Sequence, residues 1–154
     1  MNQRNAHRVI QDFGASIGLP DLAFNSVNLC SLSFDDLVVN LGLSPHADHL
    51  SAHIWLAALE PEDHAEACRV MAEANYLMTA VHGACIGMSR QSGDVVLSAR
   101  MHEQQLTLSS LQQWLQDLLN LAQSWRGRLA ALHRNPAARP QATLPAEAPA
   151  GLRV

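Results

Sequence analysis

Histidines are the first residues in this sequence whose type and spacing could do chemistry. Four potential ligands crowd the stretch His46-Ala-Asp48-His49-Leu-Ser-Ala-His53. On an extended strand His49 and His53 share a face, and Asp48 or His46 from the preceding loop brings a third donor, enough for a zinc ion. A small metal-dependent enzyme using His46, Asp48, His49 and His53 is therefore one reading. Its spacing matches no established zinc pattern, and neither HExxH nor a cysteine ligand accompanies it. Histidines on a surface or lining a groove are the preferred reading, with no metal and no cofactor expected.

Other reactive groups give less. Cys85 follows His82-Gly83, but it lies in a run of small apolar residues, where a thiol packs more often than it reacts. There is no GxSxG elbow and no phosphate-cradling loop, since Gly83, Gly87 and Gly93 punctuate a hairpin. Asp35-Asp36 and Glu60-Pro-Glu62-Asp63 read as a turn and a helix start. Cys30, Cys68 and Cys85 are odd in number and far apart, which fits buried free thiols in a reducing compartment. No catalytic residue is assigned, and a binding module is the better class.

Composition agrees. The 154 residues are 48% hydrophobic and 16% charged, so one packed domain is expected. A chain of this size buries roughly 68% of the surface its unfolded form exposes. A net charge of -4 with ten scattered Arg argues against nucleic acid. No signal peptide is read at the N-terminus, and the run Ile54 to Leu59 is too short for a bilayer. The expectation is a cytoplasmic protein without membrane insertion.

The elements that would position any site are organised around the stretch from Met71 to Met101. It reads as the end of a helix, a run from Ala84 to Arg90, the turn Gln91-Ser92-Gly93-Asp94, and a strand in which Val95, Leu97, Ala99 and Met101 share a face. Before it, Ala6, Val9, Ile10, Phe13 and Ile17 form the narrow stripe of a first helix, ended by Gly18 and Pro20. Strands follow over Val27 to Ser33, Leu37 to Leu43 and His49 to Leu59, with Asp35-Asp36 as a turn. In the third, Leu50, Ala52, Ile54, Leu56 and Ala58 face one way. Trp55 lies on the other side, where a Trp is more often packed under another element than left bare.

A second helix starts near His64, with Asp63 and Glu66 at capping-box spacing. Drawn as far as Val81, its wheel puts Ala67, Val70, Met71, Ala74, Leu77, Met78 and Val81 on one face, flanked by Ala65, Cys68, Ala72, Asn75, Tyr76 and Thr79. Only Glu66, Arg69, Glu73 and Ala80 remain for solvent. Such a helix needs a second cover, and another copy of the chain is the simplest. A last helix runs from a capping box of Ser109 and Gln112 to about His133, with Leu111, Trp114, Leu115, Leu118, Ala122, Trp125, Leu129 and Leu132 on one face. The expected fold is α+β, an antiparallel sheet with helices in the order α-β-β-β-α-β-β-α. It occupies residues 1–133, with 134–154 an Ala/Pro-rich disordered tail.

The segment Met71-Ala-Glu-Ala-Asn75, then Gly83, Ile86-Gly87-Met88, Gly93-Asp94-Val95-Val96-Leu97 and Arg100, resembles the core signature of class I type III secretion chaperones, the Tir-chaperone-like family. The resemblance covers roughly residues 2–133. It implies a homodimer in the bacterial cytosol that binds the N-terminal chaperone-binding region of a secreted effector and presents it to the secretion apparatus, with the secretion ATPase as a possible further contact. On that implication Ala65, Cys68, Ala72, Asn75, Tyr76 and Thr79 become the dimer seam. Val9, Phe13, Ile17, Leu32, Phe34, Val38 and Trp55 become candidates for the effector groove. The His46 to His53 stretch and the Ala/Pro tail have no counterpart in that pattern.

Overall fold

A computed structural model describes residues 3–44, 48–78 and 81–134. Eight elements follow one another: α1 (Gln3–Ser16), β1 (Leu29–Phe34), β2 (Leu37–Leu43), β3 (His49–Ala58), α2 (His64–Asn75), β4 (Cys85–Met88), β5 (Asp94–His102) and α3 (Leu108–Arg134). This is the α+β order expected from the periodicities. The strands form one antiparallel sheet in the order β1-β2-β3-β5-β4. Each strand alternates, so one face of the sheet is apolar: Leu32, Val39, Leu41, Leu50, Ile54, Leu97 and Ile86 are all buried there.

Helix α3 lies over β3 and meets that face with Leu111, Leu115, Leu118, Ala122, Trp125 and Leu129, a stripe at helical spacing. Against α3 packs α1, through Ala6, Val9, Ile10 and Phe13. Gly18, at φ 81°, ends α1 in the left-handed conformation that glycine adopts without a Cβ penalty. The other sheet face carries no helix among the described residues.

Four local expectations are corrected. Helix α2 stops at Asn75, because the chain enters positive φ at Leu77 and Met78 (both 54°), and Leu77 is 75% exposed instead of buried. Only Ala67, Met71 and Ala74 of α2 are buried, a stripe far narrower than the wheel implied. Its start is made by a 3-10 turn at Pro61–Asp63, and Asp63 makes no side-chain cap bond. The cap of α3 lies two residues earlier than Ser109: the Ser110 amide donates to Thr107 Oγ1 at 3.1 Å and the Thr107 amide donates to Ser110 Oγ at 2.9 Å, a reciprocal box.

Gly93 joins β4 to β5 at φ 72°, and a Cβ there would sit 2.3 Å from the Leu59 carbonyl oxygen. Strain and clash act together. Gly93→Ala is expected to cost about 2 kcal/mol or more, read as a fall in the thermal midpoint. An unchanged midpoint would show that this turn relaxes freely.

Candidate partner-binding surface

The histidine-rich stretch is not gathered into a metal centre among the described residues. His46 lies outside them. Asp48 pairs instead with His102 on the next strand, Oδ2 to Nε2 at 2.7 Å, and this hydrogen bond, aided by the charge of His102, holds the Asp48 carboxyl below its ordinary range. His53 Nδ1 meets Ser98 Oγ at 3.0 Å. Register explains both, since β3 pairs with β5 at His49↔His102 and His53↔Ser98, so each side chain finds its partner across the ladder. Cys30 is buried as expected and burial pushes its thiol upward, but Cys68 and Cys85 are exposed, one on the outward side of α2 and the other on the outward phase of β4.

What the molecule offers is uncovered apolar surface, in two places. The first is the helix-free sheet face. Along it the ladders set Ser33 beside Val38 and Trp55 beside Val96, with Val96 beside Gly87. Val38 follows in phase with Asn40, which pairs with His53, so Val38 and Trp55 share that face. Val38 is 44% and Trp55 50% exposed. The indole of Trp55 is pinned by a hydrogen bond, its Nε1 donating to Asp94 Oδ1 at 2.9 Å. Hydrogen bonds from Ser92 and then Trp55 hold the Asp94 carboxyl below its ordinary range. A large flat side chain is thus fixed in place before any partner arrives, which lowers the entropy lost on binding.

At the rim of this face β1 is an edge strand, with Leu29 exposed on it and Val27 exposed just before it. At Leu29 this edge is closed, because the Asn25 amide donates to the Leu29 carbonyl at 2.8 Å and the Leu29 amide donates to Asn25 Oδ1 at 2.9 Å; from Ser31 onward the edge can accept an extended chain by backbone pairing.

The second surface is the outward side of α2. Ala65, Cys68 and Ala72 are exposed along one stripe, continued by Tyr76, Leu77 and Met78. The helix also guards the opposite sheet edge. Asn75 Nδ2 donates to the Ile86 carbonyl at 2.8 Å, and the Ile86 amide donates to Asn75 Oδ1 at 3.0 Å. One side-chain amide thereby takes both backbone groups that Ile86, in the edge strand β4, would offer to another strand.

Several expected site residues lie elsewhere. Val9, Phe13 and Leu32 are 3–4% exposed and belong to the core, so they present no groove. For Leu32 the reason was legible: Ser31 and Ser33 mark the outward phase of β1, which puts Leu29 outside and Leu32 inside. Phe34 is half-buried against the core, while Ile17, at the end of α1, is exposed together with Leu19. Asn75 spends its amide inside the protomer, and Thr79 is outside the described residues. The exposed Leu29, Leu77 and Met78 were missed. Leu77 and Met78 carried no signal, because their spacing continues the buried stripe of α2.

Comparison with known proteins bears on what these surfaces are. A chain of the ExsC–ExsE complex is 26% identical, at a TM-score of 0.72, with 82% of this chain and 94% of that one covered. A chain of the HopA1–SchA chaperone–effector complex superposes at 0.66, with 20% identity over 82% of this chain and 98% of that one. For the ExoT–SpcS complex from Pseudomonas aeruginosa the values are 0.60, 20%, 80% and 98%. The last two, at that identity, speak to the fold alone. No curated protein sequence matches. None of the described helices is long and apolar enough to cross a membrane. The model of the Tir chaperone protein (CesT) family matches residues 8–126, from within α1 across the whole sheet to Arg126 of α3, and the chain belongs to that family.

Proposed function

We propose that this protein is a type III secretion chaperone, non-enzymatic and cytoplasmic, that binds the N-terminal chaperone-binding region of a secreted effector and delivers it to the secretion apparatus. The observation that carries the reading is the helix-free sheet face, where Val38 and the pinned Trp55 lie uncovered between the β1 edge strand and the rest of the sheet. The effector segment stays extended, pairs with β1, and places apolar side chains against Leu29, Val38, Trp55 and, at the end of α1, Ile17. The chaperone contributes binding alone: it shields a segment that would otherwise aggregate, and the secretion ATPase supplies the energy for release.

Two copies form the working unit in this reading. The seam runs along the stripe of Ala65, Cys68 and Ala72, small residues that let two helices approach closely, and on to Tyr76 just past the helix end. Ala72→Arg puts a long charged side chain into that contact. It is expected to weaken the dimer by about 100-fold or more, giving monomers by light scattering at micromolar concentration. A dimer of wild-type strength in this variant removes the seam from α2.

Function is tested by co-purification from the native host with partners identified by mass spectrometry. A single secreted protein held through its N-terminal region is the expected result. Recovery of no such protein under conditions where secretion is induced overturns the reading.

A further inference from the structure

Strand β5 is longer than β4 beside it, and the excess is uncovered. In their ladder Ile86 turns its backbone N–H and carbonyl outward to Asn75, so Cys85 and Gly87 turn theirs inward, to Ser98 and Val96. Arg100 is the next residue of β5 in that phase, and β4 has nothing opposite it. The chain turns away at residues 81–84 through positive φ at His82 (48°) and Gly83 (82°), a turn closed by the Ala84 amide donating to the Val81 carbonyl at 2.8 Å. Toward β3 it is Ala99 and Met101 that carry the ladder bonds, so both backbone groups of Arg100 are without a partner among the described residues. Its side chain, exposed on the helix-free face, makes no ion pair among the described residues either. The two acids along this row, Asp48 and Asp94, are held by His102 and by Ser92 and Trp55. On the inner face a cleft of about 640 Å³ opens beside the same edge, with apolar walls from Val81, Ala84, Ala99, Trp114, Leu118 and Leu121. Asp117, also on this cleft, accepts from Gln113 Nε2 at 2.9 Å.

We infer that the uncovered end of β5 is a second peptide site, for a short extended segment of another protein in which an acidic residue adjoins a large apolar one. Each feature of the site selects one property of the segment. The free N–H and carbonyl of Arg100 form two hydrogen bonds with a single residue of an added strand. Opposed residues of neighbouring strands share a face, so the side chain of that residue lies beside the Arg100 guanidinium, and a carboxylate there makes a charge-assisted bond. Its neighbour in the segment points the other way, into the apolar cleft, where burial favours a leucine-sized side chain. The turn at residues 81–84 stops the added strand at the Ala99 side, so the segment is short. This site and the β1 edge stand on opposite sides of the sheet.

The probe is acetyl-Thr-Leu-Glu-Leu-Thr-amide, which presents an apolar neighbour to the acid in either chain direction. It is titrated to millimolar concentration into the isotopically labelled full chain and followed by NMR. The expected result is a shift of the Arg100 amide resonance with slowed hydrogen exchange at that amide. Replacing Glu in the peptide by Gln should weaken binding by about fivefold, and replacing both Leu by Ala by about fivefold or more. Arg100→Gln in the protein should abolish the preference for Glu over Gln and leave that for Leu over Ala. No shift at Arg100, shifts confined to Ser31 and Ser33 of the β1 edge, equal affinity for the Glu and Gln peptides, or a Glu preference that survives Arg100→Gln each overturn the site. So does an Arg100 amide protected in the absence of peptide and released on dilution, which would place a second copy of the chain there. The inference does not rest on the effector reading, and co-purification of a secreted protein is unaffected by any of these outcomes, so the two fail separately.

Discussion

Trp55→Ala is expected to weaken effector binding by about 30- to 1000-fold, that is by about 2–4 kcal/mol, the loss found when a central aromatic anchor is truncated. Trp55 is half exposed and central on the helix-free sheet face, so its removal deprives a partner of area without opening a cavity in the core. Folding stability should therefore change by less than about 1 kcal/mol. The measurement is titration calorimetry on the effector segment recovered by co-purification, with thermal unfolding of the same variant as the control. Val38→Glu, at the neighbouring position of that face, should act in the same direction. Affinity within twofold of wild type in both variants would move the effector site off this face.

Acid should weaken the same anchor in a defined direction. The Asp94 carboxyl is held below its ordinary range by Ser92 and Trp55, so the contribution of its ionised form is present above the unfolded value and lost as pH falls through the folded one. The indole is then freed below the ordinary carboxylate range. Asp94→Asn should remove that transition from the Trp fluorescence.

Asn75→Leu carries the second large effect. The wild-type amide makes two hydrogen bonds to the backbone of Ile86 and closes the β4 edge. Leucine is of similar size but leaves both backbone groups unpaired, at an expected cost of about 2–3 kcal/mol. For a chain of this length that lowers the thermal midpoint by about 5–10 °C. Freed from its guard, β4 can pair with other chains, and concentration-dependent species larger than the wild-type assembly should appear in light scattering. Asn75→Asp offers an oxygen to the Ile86 amide but has no donor for the carbonyl, so it should fall between wild type and Asn75→Leu. Equal stability of all three proteins would mean that the amide of Asn75 does not guard the edge.

Local periodicity carried most of the fold. Leu37, Val39, Leu41 and Leu43, or Val95, Leu97, Ala99 and Met101, alternate with polar or half-exposed neighbours because a pleated strand has a period of two, and no distant residue is needed to read that pattern. Likewise the stripe of α3 repeats at helical spacing, and Gly18 ends α1 where a left-handed residue is required. These features depend on neighbours within a turn or a strand.

Exposure depended on more. Val9 and Phe13 share the apolar stripe of α1 with Ile17, yet the first two meet α3 and the core while Ile17 lies at the open end of the helix; sequence spacing assigns a face but not what stands opposite it. Leu77 and Met78 continue the spacing of α2 but follow a chain reversal anchored by Asn75 on Ile86, a contact across eleven residues. The pairing of Asp48 with His102 spans 54 residues and removes an apparent ligand from the histidine stretch.

The sequence by itself determined the class of fold, the order of its elements, the absence of any recognisable catalytic motif and the family, because all of these are written in short-range pattern. Only the tertiary structure decided which apolar residues are core and which are surface, that Asn75 closes one sheet edge while Asn25 closes the β1 edge only at Leu29, and that Trp55 stands pinned on an uncovered face. Those outcomes follow from which elements pack against one another, and that is set by the summed burial of the whole chain.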